Sequence, residues 1–420
     1  MKDIMVPSMI ARARAAAMTL RTLPSPAKDR ALLSLADLLE MELDGLLAAN
    51  AGDIADAEAA GRRPALVDRL RLTPARVRAM AEGVRRVISL VDPVGQIVDM
   101  QTRPNGMRVA RMRSPIGVIL MIYEARPNVT IDAAALCVKA GNAAILRGGR
   151  EARRSNAFLG DVLARSGLPQ GAVQVIADSD HALVTTLLRS DGIDLVIPRG
   201  NEDLIRSVVE HARMPVLKHF KGVCHLFVDR DANLAMAERI AVNAKAQRPS
   251  VCNALETLLV DAPAARVFIP RVVRALRAAD VEVRGDERTL AAAAAAGPDV
   301  AAGVVPVKDA DWGTEYLDYI INVRVVDGFD EALAHIHRYS TGLADAIVTD
   351  NQERAQRFVA SVDSAAVLVN ASSRLVDGGE FGLGAEIGIS TDRIGPRGPM
   401  GVAELTSLKW VVLGSGQIRD

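Results

Sequence analysis

Aromatic residues are scarce. Only 3% of the chain is Phe, Trp or Tyr, so its cores must be aliphatic and it has few platforms on which nucleic-acid bases could stack. An excess charge of either sign is also missing. Lys plus Arg and Asp plus Glu number 51 each, so no global field draws the chain to nucleic acid or to an anionic membrane. There are three cysteines, an odd number without disulfide spacing, which fits a reducing, cytoplasmic setting. No run of about 18 apolar residues occurs, so no transmembrane span is expected. Residues 1 to 24 lack an apolar core with a cleavage site and read as a folded helix, not a signal peptide. The dinucleotide fingerprint GxGxxG and the Walker pattern are both absent; Gly382, Gly384 and Gly388 have the wrong spacing. No repeat of roughly 20 to 50 residues is present. His335 and His337 are spaced wrongly for one helix face, and His219, Cys224 and His225 lack a fourth ligand, so no metal site is expected.

What the chain does have is length and aliphatic content. Its 420 residues, half of them hydrophobic, suit two or three domains with sizeable cores. Residues 8 to 90 read as helices. Ser25-Pro26 and Thr73-Pro74 are start signals; Leu32, Leu35, Leu39 and Leu46, then Val77, Met80, Val84 and Val87, follow at helical spacing. Residues 97 to 113 read as a hairpin around Pro104-Asn105-Gly106, either projecting from the body or lying on its surface. From Ile116 the pattern turns α/β, with strands expected at 116–122, 143–146, 173–176, 193–197 and 223–228 and helices between most of them. A second α/β unit follows about residue 246, with strands near 255–260, 320–326, 345–348 and 366–369. The tail SLKWVVLGSGQIRD reads as a last strand. The fold class is α/β, with doubly wound parallel sheets.

Context separates the cysteines. Cys137 lies in an apolar helical stretch and reads as a core residue. Cys224 lies in a strand pattern, and His225 beside it points to the opposite face. Cys252 follows a proline and precedes a strand, where a side chain can stand at a sheet edge facing a cleft; Lys245 and Arg248 before it could favour a thiolate. It is a candidate nucleophile, with a structural loop cysteine as the alternative. Two glycine segments suit anions. Pro198-Arg199-Gly200-Asn201 ends a strand and starts a helix, where N–H groups and the helix dipole meet an anion. Arg147-Gly148-Gly149-Arg150 follows another strand, and its arginines could fork onto a ribose phosphate. Ordinary turns are the competing reading for both.

Three blocks carry a resemblance: 122–152 (IYEARPNVTIDAAALCVKAGNAAILRGGREA), 242–260 (VNAKAQRPSVCNALETLLV), and VNASSRLVDGGEFGLGAEIGIS with RGPMG between 369 and 401. In sequence, order and separation they resemble γ-glutamyl phosphate reductases, a branch of the aldehyde dehydrogenase superfamily, over essentially the whole chain. The resemblance implies an aldehyde dehydrogenase-like fold: two Rossmann-like three-layer α/β domains and a small β oligomerisation element. The domains expected are an NADPH-binding one (1–96 and 114–245) and a catalytic one (246–403, its C-terminal part free to return to the cofactor domain). Residues 97–113 and 404–420 make the oligomerisation hairpin and tail strand. The resemblance makes Cys252 the nucleophile. It puts Arg147 to Arg150 at the adenosine ribose, Pro198 to Asn201 near the pyrophosphate, and Glu315 at the nicotinamide ribose. Asn201 departs from the family pattern, where a second glycine is expected.

The reaction implied is NADPH-dependent reduction of L-glutamyl 5-phosphate to L-glutamate 5-semialdehyde through a cysteine thioester, the second step of proline biosynthesis from glutamate. The Cys252 N–H and the Asn128 amide are candidate donors to the negative oxygen. Ser372, Ser373, Arg374 and Asp377 could meet the substrate's amino and carboxylate groups; a solvated polar loop is the alternative. Hydrolytic relatives activate water with a glutamate before the cysteine, and PVLKHFKGVCH, the matching stretch here, has no acid. A homo-oligomer is expected, as dimer or tetramer, and functional coupling to glutamate 5-kinase stays open. The competing functions are a hydrolytic or CoA-acylating aldehyde dehydrogenase and a non-catalytic homologue.

Overall fold

The computed structural model describes residues 2–176 and 181–419. It divides into two compact units, Met1–Lys218 with Gly382–Gly388 and Met400–Asp420, and His219–Phe381 with Ile389–Pro399.

The first unit begins with five helices: α1 (Lys2–Thr22), α2 (Ser25–Met41), α3 (Leu43–Ala59), α4 (Pro64–Leu70) and α5 (Pro74–Ser89). Thr73 caps α5 by accepting the Arg76 N–H at 3.2 Å, which satisfies one of the donors a helix start leaves open. Ser25 is the first residue of α2, not its cap; proline fits either of the first two helical positions. Leu32, Leu35, Leu39, Val77, Val84 and Val87 turn inward into one core. Strands β1 (Ile97–Thr102) and β2 (Arg108–Pro115) form the expected hairpin. The α/β part then runs β3 (Val118–Tyr123), α6 (Pro127–Lys139), β4 (Ala143–Arg147), α7 (Arg153–Arg165), β5 (Val173–Ile176), α8 (His181–Arg189), β6 (Leu195–Arg199) and α9 (Glu202–His211). Its four strands are all parallel, in the order β5-β4-β3-β6. Every residue of β3 and β4 is buried, as strands covered on both faces must be. Each large aliphatic side chain buried there stabilises the fold by about 1.5–3 kcal/mol.

The second unit holds β7 (Cys224–Val228), α10 (Leu234–Ala246), β8 (Leu255–Asp261), α11 (Ala262–Ala278), β9 (Glu282–Gly285), α12 (Glu287–Ala295), α13 (Pro298–Ala301), β10 (Val304–Pro306), β11 (Ile320–Val326), α14 (Phe329–Tyr339), β12 (Ala344–Val348), α15 (Gln352–Ser361) and β13 (Ala366–Val369). Its sheet has seven parallel strands in the order β10-β9-β11-β8-β7-β12-β13. The short strands β14 (Ile389–Ser390) and β15 (Gly398–Pro399) pair with each other.

The strand expected at 223–228 forms, but it belongs to this second sheet. β7 pairs with β8 on one side and β12 on the other, so the unit starts at His219 and not at the expected 246. The C-terminal segments Gly382–Gly388 and Met400–Asp420 return to the first unit. There β16 (Thr406–Leu413) pairs antiparallel with β2, completing a three-stranded sheet β1-β2-β16. Much of its apolar surface is uncovered in the single chain, with Trp410 67% exposed and Val412 56%.

Candidate active site

The first unit gathers its candidate residues at the carboxyl ends of its strands. The order β5-β4-β3-β6 reverses direction between β3 and β6, the switch point where doubly wound sheets bind ligands. Arg147 ends β4 and is buried; Gly148 and Gly149 follow, and Arg150 is exposed. A Cβ on Gly148 would lie 2.1 Å from the Asn156 amide, so this turn tolerates no side chain. Pro198 and Arg199 end β6. Asn201 caps α9, its side chain accepting the Leu204 N–H at 2.9 Å. The capping amide thus serves a helix start, which is a physical reason for Asn where a glycine was expected.

A carboxylate already stands at that helix start. Glu124, just beyond β3, accepts the Asn201 N–H at 3.2 Å. Burial pushes its carboxyl above the usual range, and Glu151 nearby adds to the shift. Glu202 and Asp203 fill the first turn of α9. Next to Glu124, Ala125 has φ 38, a strained value for a residue with a Cβ, and Glu151 holds its N–H at 2.6 Å. Neither acid stood out in the sequence; a Glu inside a glycine- and arginine-rich anion motif was the available signal. Asn128 lies in the first turn of α6 and donates its amide to Asp132 at 3.1 Å. Burial pushes the Asp132 carboxyl up to about 6.

The second unit presents Cys252 at the amino end of its sheet. It sits half-buried in the turn that leads into β8, the middle strand of seven, not at a sheet edge. Two neighbours define its backbone. A Cβ on Gly222 would lie 1.8 Å from the Cys252 carbonyl oxygen, so only glycine allows this approach. The Cys224 thiol, fully buried, donates to that same carbonyl at 3.5 Å. Burial raises the Cys224 thiol, and burial likewise pushes Cys137 up to about 12, so both are poor nucleophiles. None of the three cysteines is in a disulfide.

The loop after β13 is knit to the Cys252 turn. Ser373 donates to the Asn253 carbonyl at 2.7 Å, and the Asn253 amide donates to the Val376 carbonyl at 2.8 Å. The Arg374 guanidinium reaches the Asn253 side-chain oxygen and, at 2.8 Å, Gln247. Ser372 donates to Asn243 at 2.7 Å. Asp377 accepts the Gly379 N–H at 2.9 Å and turns its own loop. Asn243 and Gln247 also line an open cleft of about 530 Å³ on α10 and α11. Asn253 was missed in the sequence, although it adjoins Cys252.

Lys245 does not face solvent beside Cys252. It is fully buried at the end of α10 and forms an ion pair with Glu256, equally buried, at 2.8 Å. Arg248 is exposed. Glu315 lies half-buried in the loop before β11, its charge close enough to oppose ionisation of Glu256. The segment from Pro215 to His225, where a water-activating acid would stand, has none; its Lys221 donates to the Gly313 carbonyl at 2.9 Å.

A family model described as "Aldehyde dehydrogenase family" matches residues 2–302. The γ-glutamyl phosphate reductase of Opitutus terrae is 54% identical over 416 residues, covering 97% of each chain. That of Caldanaerobacter subterraneus subsp. tengcongensis is 51% identical over 413 residues, covering 97% of this chain and 98% of its own. The crystal structure of the γ-glutamyl phosphate reductase of Thermotoga maritima superposes with a TM-score of 0.94 at 43% identity, covering 99% of this chain and all of that one. An acetylating aldehyde dehydrogenase from Geobacillus thermoglucosidasius shares the fold at 17% identity, with a TM-score of 0.70 over 100% of this chain and 98% of that one. The chain belongs to the γ-glutamyl phosphate reductases, a branch of the aldehyde dehydrogenase family.

Proposed function

We propose that the chain reduces L-glutamyl 5-phosphate to L-glutamate 5-semialdehyde and phosphate, with NADPH as reductant and Cys252 as nucleophile. The observation that carries this reading is the Cys252 turn. A half-buried cysteine has its backbone held by Gly222 and Cys224, while the segment that would supply a hydrolytic glutamate contains no acid.

The residues fit a phosphorylated nicotinamide dinucleotide. Arg147 and Arg150, two fixed cations at a strand end, suit a ribose phosphate. The start of α9 suits a pyrophosphate once Glu124 swings away, and a raised carboxyl makes that acid easier to neutralise. Glu315 suits the nicotinamide ribose. When bound, NADPH supplies the hydride.

Everything else falls to the chain. Cys252 Sγ attacks the acyl carbon, the bond to the phosphate oxygen breaks, and phosphate leaves with the electron pair. The acyl group stays as a thioester. The Cys252 N–H steadies the negative oxygen formed at the acyl carbon. After hydride arrives there, the negative oxygen re-forms the carbonyl as the carbon–sulfur bond breaks, freeing the aldehyde and the thiolate. With no acid in residues 215–225 to activate water, the thioester survives until reduction. Arg374, Ser372, Ser373 and Asp377 form the polar loop for the substrate's amino and carboxylate ends.

The exposed sheet β1-β2-β16 is the surface on which a second copy would pair, because its edge strands and Trp410 are left open. Among the described residues no helix is long and apolar enough to cross a membrane, and three thiols outside disulfides suit the cytoplasm. Functional coupling with glutamate 5-kinase, which would supply the acyl phosphate, is compatible with this reading.

The reading is tested by mixing enzyme with freshly made acyl phosphate and no cofactor, quenching in acid, and digesting. A glutamyl group on the Cys252 peptide is expected. Its presence on Cys137 or Cys224, or on none, would refute the mechanism.

A further inference from the structure

We propose that Lys245, Glu256 and Tyr316 are positioning residues that set the cofactor loop against the nucleophile; the proposal rests on Cys252 as nucleophile and Glu315 as a cofactor contact. Three elements meet at them. Lys245 ends α10, the helix whose chain runs on into the Cys252 turn. Glu256 stands on β8, the strand leaving that turn. Tyr316 follows Glu315 in the loop before β11. The Lys245 ammonium bonds Glu256 at 2.8 Å and lies 5.9 Å from the centre of the Tyr316 ring, over its face. Arg284 of β9 lies 5.0 Å from the same ring centre. The Tyr316 hydroxyl donates to Asn322 of β11 at 2.8 Å. One buried ammonium thus connects both flanks of the nucleophile with the loop that carries Glu315.

Stability alone does not explain this arrangement. Both side chains of the ion pair are fully buried, where desolvation opposes both charges. Glu256 Oε1 is left without a hydrogen-bond partner. Well-packed apolar residues in such a place usually hold a fold as well or better. What an apolar pair could not do is pull on a ring from the neighbouring loop while fixing the carboxylate's strand. The pair therefore sets a distance, and small errors in that distance matter for hydride transfer.

The test uses the full-length enzyme with three variants: the pair replacement Lys245→Met with Glu256→Leu, Tyr316→Leu, and Cys252→Ala as control. Four quantities are read: melting temperature, NADPH affinity by fluorescence, iodoacetamide labelling of Cys252 without cofactor, and phosphate-dependent turnover. For the pair replacement, turnover is expected to fall about 100-fold, the effect of a displacement near 1 Å at a reacting centre, with no loss of melting temperature. For Tyr316→Leu, NADPH affinity is expected to fall about tenfold while Cys252 labels at the wild-type rate. Unchanged turnover and affinity in the pair replacement would overturn the proposal. So would a loss of turnover that merely follows a fall in melting temperature, since that is packing. If the pair replacement fails to fold, Tyr316→Leu decides: wild-type NADPH affinity overturns the proposal. Turnover retained by Cys252→Ala would instead refute the underlying mechanism.

Discussion

The two parallel sheets carry their chemistry at opposite ends of their strands. In the four-stranded sheet the candidate groups follow the carboxyl ends of β3, β4 and β6, where a helix start and two arginines offer positive charge in a half-open setting. In the seven-stranded sheet the proposed nucleophile, Cys252, precedes the amino end of β8. A helix ending next to that position, α10, turns its negative pole toward the turn. Cations must then come from side chains: Arg248, the nearest in sequence, is exposed, and Lys245 is buried and committed to Glu256. On the proposed reading, the first sheet receives an anion and the second holds one sulfur atom still. The two arrangements should therefore respond differently to mutation.

The largest effect is expected where backbone closeness is involved. Gly222→Ala forces the Cys252 carbonyl away and should lower kcat by about 100-fold or more, with a smaller change in KM for NADPH; steady-state kinetics checks this. A near-normal kcat would mean the turn is not held as described. At the other sheet the effect should appear in binding. Arg150→Ala is expected to raise KM for NADPH by about 10- to 100-fold, the loss of one charged hydrogen bond, while KM for NADH changes little. An equal effect on both cofactors would remove Arg150 from the ribose phosphate.

Smaller effects sharpen the contrast. Glu124→Gln removes a carboxylate from the start of α9 and should strengthen NADPH binding a few-fold, by about 0.5–1 kcal/mol; calorimetry measures this. Weaker binding would make Glu124 a cofactor contact and not a competitor. Asp132 gives the smallest effect. Its folded carboxyl is raised to about 6 from an ordinary 3.8, so between these values the folded state holds a proton that the unfolded state has released. Stability should fall as pH rises through that window and level off above it. Asp132→Asn should remove this slope, gaining about 1 kcal/mol at pH 7 once partial exposure is allowed for. Melting curves at several pH values decide it.

The sequence made some parts of this legible and hid others, for physical reasons. Buried parallel strands are continuous apolar runs, so the strand expected at 173–176 formed at those residues and the one expected at 143–146 ends a single residue later. Pairing leaves no local trace. The pattern at 223–228 announced a strand but not that it would lie between β8 and β12, and the unit boundary moved accordingly. Strands β9 and β10, with four and three residues, were too short to show a period. Cys252 could be singled out because Cys137 and Cys224 sit in apolar stretches, where burial quenches a thiol. Lys245 could not be placed, because its partner lies eleven positions further along, on β8, a strand buried at every residue and so without any alternation to mark Glu256. The carboxylate at the start of α9 was hidden for the same reason, since Glu124 comes from a different strand.

The central claim is that Cys252 forms an acyl-enzyme that exchanges its acyl group with phosphate and not with water. The most direct measurement runs the reaction backward: glutamate 5-semialdehyde and NADP⁺ are mixed with enzyme, with and without phosphate, and NADPH absorbance is followed for wild type and Cys252→Ala. The account predicts NADPH only with phosphate and only with wild type. Sustained turnover without phosphate would mean that water takes the thioester, and turnover by Cys252→Ala would mean that no thioester at this residue is needed.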